Sequence, residues 1–240
     1  MSRIDVALVA RRLFESRAKA QEAIGAGLVF VNGVVVKKVS EKIDEDADIE
    51  ASAPYPWVSR GGVKLAAALE GFGVSVAGKI CLDVGASTGG FTDVLLRAGA
   101  EKVYAVEVGH GQLHASLQTD QRVISLEHQD ARLLDADLMP DLPQIIVCDA
   151  SFISLKKLLP PVLKRTTPHA TLIALIKPQF EVAKNENKKG IVRDVMLQKR
   201  VCDEITAMLQ LEGWQPRGVC SSPILGGDGN REFLICAVRV

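Results

Sequence analysis

Asp83-Val84-Gly85-Ala86-Ser87-Thr88-Gly89-Gly90-Phe91-Thr92 is the stretch on which the fold turns. Before it, Lys79-Ile80-Cys81-Leu82 reads as the apolar run of a buried parallel strand; after it, Phe91, Val94, Leu95 and Leu96 recur at helical spacing. A strand, a glycine-rich turn and a helix start follow. Such a turn directs backbone N–H groups and the positive end of a helix dipole at whatever lies above it, and Gly85, Gly89 and Gly90 permit close approach. The segment suits an anionic group. Glycines placed only for packing give the same string, and the stretch alone leaves both readings open.

Ala86 or Ser87 stands where the dinucleotide pattern G-x-G-x-x-G requires its second glycine, which weakens a nicotinamide reading. Asp83, opening the loop, suits a ligand that carries an ammonium beside a carboxylate, as the methionine part of S-adenosylmethionine does. Glu107 ends the next strand-like run, twenty-two residues beyond Gly85. An acid there can accept hydrogen bonds from ribose hydroxyls. Asp130, after a third run, either meets an adenine amino group or caps a helix.

Working outward, strand-like runs recur at Ile80 to Val84, Lys102 to Val108, Arg122 to Glu127, Gln144 to Cys148, Thr171 to Ile176 and Phe233 to Val240, with helical patterns around Thr92–Gly99, Leu155–Lys164 and Leu197–Glu212. This alternation argues an α/β fold with a mostly parallel doubly wound sheet. Gly226-Gly227-Asp228-Gly229-Asn230 joins two extended runs directly, so the sheet is expected to close with an antiparallel hairpin. Asp149 and Lys177 each close a strand, where open α/β sheets bind ligands. A lysine abutting a buried strand is costly unless paired, and Asp149 and Glu232 are the available acids. A structural salt bridge explains the same residues.

The chain's 240 residues, 48% hydrophobic, suffice for one full α/β core and a small appendage. Lys+Arg and Asp+Glu are equal at 29 each, so no global field draws the protein to nucleic acid. The distribution is uneven, however, because residues 1 to 42 carry eight Lys/Arg against four Asp/Glu. Cys81, Cys148, Cys202, Cys220 and Cys236 form no C-x-x-C pair, and the histidines lack metal-ligand spacing, so neither disulfides nor a metal is expected. No signal-peptide profile opens the chain and no apolar run approaches a membrane span; a cytoplasmic protein is the expectation.

The basic start has a legible pattern. Ile4 to Phe14 suggests a first helix, and Ser16 caps a second from Arg17 to Gly25. Leu28 to Val36 is then two strands about Asn32-Gly33, a strong hairpin signal. The strings Arg3-Ile4-Asp5, Ser16-Arg17-Ala18-Lys19-Ala20, Ile24-x-x-Gly27-x-Val29-x-Val31-Asn32-Gly33 and Lys37-Lys38 resemble the S4 domain, an RNA-binding module. The resemblance implies that Arg3, Arg11, Arg12, Arg17, Lys19 and Lys37 meet RNA phosphates. Prolines 54 and 56 mark a linker at 51–58, between an S4 domain at 1–50 and a second domain at 59–240.

In that second domain Lys64, Asp149, Lys177 and Glu232 match in order and context the Lys-Asp-Lys-Glu tetrad of FtsJ-type RNA ribose 2′-O-methyltransferases. Together with Ser59-Arg60-Gly61-Gly62-x-Lys64-Leu65, Asp149-x-Ser151-Phe152-Ile153-Ser154-Leu155 and Lys177-Pro178-Gln179-Phe180-Glu181, the chain closely resembles the TlyA family over nearly its whole length. Members are described as methyltransferases acting on cytidines of ribosomal RNA, and also as haemolysins. The resemblance implies a class I, Rossmann-like methyltransferase domain with a seven-stranded sheet, S-adenosylmethionine as cofactor, and ribosomal RNA or ribosomal subunits as partners. It implies Lys177 as base, Asp149 and Glu232 orienting it, and Lys64 holding the target nucleotide. Asp83, Gly85, Ala86, Ser87, Thr88, Gly89, Gly90, Phe91, Glu107 and Asp130 are the expected cofactor contacts. Lys188 and Lys189, in the polar segment 183–193, are expected to meet RNA.

Overall fold

The computed structural model describes residues 1–183, 185–187 and 190–240. It separates into two compact units, Met1–Pro56 and Trp57–Val240.

The first unit packs two helices, α1 (Ile4–Ala10) and α2 (Arg17–Gly25), on short strands. Strands β1 (Ser2–Arg3) and β4 (Lys42–Ile43) pair antiparallel, while β2 (Val29–Val31) lies between β3 (Val34–Val35) and β5 (Ile49–Ala51). Asn32 and Gly33, at φ 50 and 75, make the turn from β2 to β3 that matches the twist of paired strands. Ser16 caps α2 by accepting from Lys19 N at 3.3 Å. Helix α1 is shorter than its apolar pattern suggests. Arg12 at φ 60 breaks it, so that Phe14 reaches the core from a turn and Leu13 stays exposed. The pairing of Ile49–Ala51 with β2 carries the sheet past residue 50, into the segment read as linker.

The second unit opens with α3 (Gly61–Phe72) and continues β6 (Ile80–Val84), α4 (Gly90–Arg97), β7 (Lys102–Val106), α5 (Ala115–Gln118), β8 (Val123–Leu126), β9 (Ile145–Cys148), α6 (Leu155–Leu163), β10 (Thr171–Ile176), α7 (Pro178–Glu181), α8 (Val195–Leu211), β11 (Trp214–Ser221) and β12 (Phe233–Arg239). Among the described residues these strands form a seven-stranded sheet in the order β11-β12-β10-β9-β6-β7-β8. The run from β10 to β8 is parallel; β12 is antiparallel to both neighbours and forms the expected hairpin with β11. This is the class I methyltransferase arrangement.

Leu65, Leu69, Leu95 and Leu96 from α3 and α4 pack on one face of the sheet, and Leu158, Leu159, Val201 and Ile205 from α6 and α8 on the other. That double cover explains why Ile145-Ile146-Val147-Cys148 is apolar at every position rather than alternating. β6 has β7 on one side and β9 on the other, so the chain reverses its direction of travel across the sheet there. Beyond the carboxyl ends of β6 and β9 lies the crevice in which such sheets bind ligands.

Candidate active site

Three strands end side by side and each hands its next residue to that crevice. Register pairs Val84 with Cys148 and Ile176 with Phe233, bringing the glycine loop, Asp149, Lys177 and Glu232 to one edge. Lys64 arrives from α3 and is buried. The four side chains form two ion pairs. Lys64 Nζ donates to Glu232 Oε2 at 2.6 Å, with side chains only 10% and 4% exposed. Lys177 Nζ lies 2.7 Å from Asp149 Oδ1, off the line of an ideal hydrogen bond, and donates to Ser151 Oγ at 2.7 Å and to Asp149 O at 3.2 Å. Of the two acids expected beside Lys177, Asp149 is its ion-pair partner, and Glu232 serves Lys64 instead.

All four line one cavity of about 400 Å³, together with Gly85, Ala86, Ser87, Thr88, Gly90 and Phe91. A second cavity of about 500 Å³ is lined by Glu107, Asp130 and the apolar side chains of Val106, Ala131, Ile153 and Leu158. Gly85, Ser87, Asp149, Ser151 and Phe152 belong to both walls. The polar, charged space and the more enclosed apolar one therefore meet at the strand ends.

The glycines of the loop serve the protein before any ligand. Gly85 sits at φ 81 with room for a Cβ only 3.0 Å from Ala150 Cα, and a Cβ on Gly90 would stand 2.2 Å from Ser59 Oγ and 3.0 Å from Gly62 N. Gly89 lines neither cavity. Several of the loop's donors are also engaged internally. Gly85 N and Ala86 N donate to Val106 O at 2.9 and 3.1 Å, Ser87 N to Glu107 Oε2 at 3.0 Å, and Gly89 N to Ala86 O at 2.7 Å.

Asp83 departs from its expected place. It is fully buried beneath the loop, lines neither cavity, and accepts from Thr92 Oγ1 at 2.7 Å. Its Oδ1 has no hydrogen-bond partner, and burial pushes the carboxyl up to about 7. Alternation along the strand puts Asp83 on the same sheet face as Cys81, the face that α4 covers, where Thr92 meets it; the string alone does not reveal that. Asp130 shows the capping role: it receives Arg132 N at 2.9 Å, and the Arg132 guanidinium beside it holds the carboxyl below its ordinary range. It nevertheless stays on the wall of the second cavity.

Residues 57–239 match the FtsJ-like methyltransferase model and residues 2–49 the S4 domain model. The chain belongs to the TlyA family. It is 41% identical to the 16S/23S rRNA (cytidine-2′-O)-methyltransferase TlyA of Mycobacterium tuberculosis, covering 98% of this chain and 88% of that one. It is 45% identical to Hemolysin A of Brachyspira hyodysenteriae, covering 92% of each. A solved structure from Streptococcus thermophilus, described as a candidate hemolysin, superposes with a TM-score of 0.79 at 41% identity, covering 100% of this chain and 88% of that one.

Within the S4 unit the basic residues fall into distinct environments. Arg3 and Arg17 both bind the buried carboxylate of Asp5, at 3.0 and 2.8 Å, and Gln21 Nε2 donates to it at 2.8 Å. Those cations hold Asp5 well below the usual carboxylate range. Arg11 is spent on the acidic turn, donating to Ala47 O at 2.6 Å and Glu45 O at 2.5 Å, so its guanidinium acts as a structural clamp. Lys19 pairs with Glu15 at 2.5 Å. Arg12 and Lys37 are exposed, with no ion pair among the described residues. Lys188 and Lys189 lie outside the described residues.

Two features of this TlyA-family site escape sequence reasoning. Ser151 touches Lys177 and stands on the wall shared by both cavities. Phe152, at φ 64 and 92% exposed, holds its ring 5.2 Å from that of Phe180 at the mouth. An aromatic residue directly after a strand-end Asp-x-Ser was the available signal, but such a residue is ordinarily core.

Proposed function

We propose that the protein transfers a methyl group from S-adenosylmethionine to the 2′-hydroxyl of a cytidine ribose in ribosomal RNA, in the cytoplasm, with the S4 unit docking on RNA. The observation that carries this reading is the meeting of two cavities at Asp149 and Ser151, the partners of Lys177, one cavity suited to a nucleoside and one lined by two lysine–carboxylate pairs. The residues present fit the cofactor. Glu107, at the edge of the second cavity, keeps lone pairs for ribose hydroxyls beyond those used by Ser87 N and Gly109 N. Val106, Ala131 and Leu158 offer apolar faces to a base, and the glycine loop leads from there to the first cavity.

S-adenosylmethionine, when bound, supplies an electrophilic methyl on a sulfonium. The chain supplies alignment and proton transfer. In this reading the Lys177 ammonium first gives up a proton to solvent and the resulting amine takes up the hydroxyl proton, while Asp149 and Ser151 hold its nitrogen at the junction of the cavities. Lys64, anchored by Glu232, faces the nucleotide with a fixed cation. Phe152 offers a solvent-exposed ring at the entrance, where a base turned out of its helix can stack.

The test is incubation with radiolabelled S-adenosylmethionine and ribosomal subunits or naked ribosomal RNA, followed by mapping of 2′-O-methyl positions. Transfer that is lost in Lys177→Met while cofactor binding persists supports the assignment. No transfer to any of these substrates refutes it. The lytic alternative rests on the names of relatives alone; among the described residues no helix is long and apolar enough to cross a membrane.

A further inference from the structure

A third cavity of about 490 Å³ lies beside the catalytic one and shares Leu225 and Asp228 with it. Arg193 and Arg231 stand in its wall. Both are exposed, and neither makes an ion pair or hydrogen bond with another described residue. Asp228, the acid on the shared wall, pairs with neither of them among the described residues.

The two arginines come from segments far apart in sequence, and a buried side chain brings them together. Asn230 is 1% exposed. Its Oδ1 accepts from Val192 N at 3.0 Å and its Nδ2 donates to Gly190 O at 2.9 Å, while its own carbonyl accepts from Gly226 N at 2.9 Å. Gln198, also buried, donates from Nε2 to Val192 O at 2.8 Å. Backbone just before each arginine is thereby stapled, and so is the loop preceding Glu232. Arg60 closes the join by donating to Leu225 O at 3.0 Å on the shared wall. Arg231 directly precedes Glu232, and alternation along the extended chain sends Glu232 inward to Lys64 and Arg231 outward to this cavity.

We propose that this cavity binds backbone phosphate of the RNA strand next to the target nucleotide, with Arg193 and Arg231 as the two ligands. The proposal rests on the methyltransferase reading for the identity of the strand. A guanidinium without an acid partner, held in a concave wall, is suited to bidentate phosphate recognition. A ribose placed at Lys177 carries its flanking phosphates out of the catalytic cavity, and the shared wall at Leu225 and Asp228 is one way out. The site reads no base. It fixes the register of the strand so that one ribose stops at the junction.

The experiment compares wild type, R193A/R231A and R193K/R231K in binding a fluorescein-labelled single-stranded oligoribonucleotide across a potassium chloride series, with methyl transfer and S-adenosylmethionine affinity measured in parallel. Each neutralised phosphate on a single strand contributes about 0.7 to the slope of log K against log salt. With one phosphate neutralised by each arginine, the alanine pair is expected to flatten that slope by about 1.4 and to raise KM for RNA far more than it lowers kcat. The lysine pair should retain most of the slope, and cofactor affinity should not move in either. An unchanged slope with cofactor binding intact overturns the site, as does a loss of activity confined to ribosomal subunits with naked RNA unaffected, which would give the cavity to a ribosomal protein. A flattened slope in a protein that transfers no methyl supports the phosphate site while refuting methyl transfer.

Discussion

Replacing Asp83 with Asn should change how stability depends on pH, and the structure sets the size. Asp83 is fully buried, and burial pushes its carboxyl from 3.8 up to about 7. Between about pH 4 and about pH 7 the unfolded chain has released this proton while the native chain still holds it. The native state then binds more protons than the unfolded one, so wild-type stability falls as pH rises through the window, by about 1.4 kcal/mol per pH unit. Over the whole window the cost reaches about 4 kcal/mol, and above it stays constant. Asn keeps an oxygen to accept from the Thr92 hydroxyl, now at 2.7 Å, and never ionises. The stability of D83N minus that of wild type should therefore rise by up to about 4 kcal/mol from pH 4 to pH 8, whatever its sign at pH 4. Urea unfolding of both proteins at matched pH values measures this difference, in which every other titrating group cancels. A difference independent of pH would show that the native carboxylate is charged throughout, and would refute the buried, uncompensated Asp83 described above.

Three further predictions follow from the site. E232Q leaves the Lys64 ammonium buried without its counter-charge and should lose about 3 kcal/mol in chemical denaturation, whereas K64M/E232L recovers much of that stability but no methyl transfer. G90A drives a Cβ against Ser59 Oγ and Gly62 N and should cost about 1–3 kcal/mol in denaturation; S59A relieves only part, because the Gly62 contact is backbone. F152A removes a ring that is 92% exposed, so Tm should not fall, while KM for RNA rises about tenfold; an unchanged KM would take Phe152 out of substrate binding.

Much of the fold was legible because both of its signals are local. The six expected strands all appear, each within two residues of its expected ends, since apolar runs bounded by Gly, Asp and Lys mark buried parallel strands at any position in a chain. Asn32-Gly33 fixed its hairpin by backbone preference alone. The short strands β4 and β5 were missed because the acidic residues around Ile43 and Ile49 hide pairings only two and three residues long. The engagement of Arg11 was hidden for a different reason, since its partners are backbone carbonyls from the turn at 44–47, which carry no sequence signal.

Residue types and their order along the chain give the chemical groups: a glycine loop, an acid beyond the second strand, and two lysines and two acids in a fixed order. Periodicity and motif order suffice for that. How those groups pair and which way they face is set by the packed fold. Lys177 takes Asp149 because β9 and β10 run parallel with Cys148 beside Ala174, and Lys64 takes Glu232 because α3 packs against β12. Asp83 turns under the loop because a strand alternates its faces. Asn230 unites Arg193 with Arg231 across a long sequence gap through hydrogen bonds to main chain. Each of these depends on distances between residues remote in sequence, which are set when the core packs and carry no local signature.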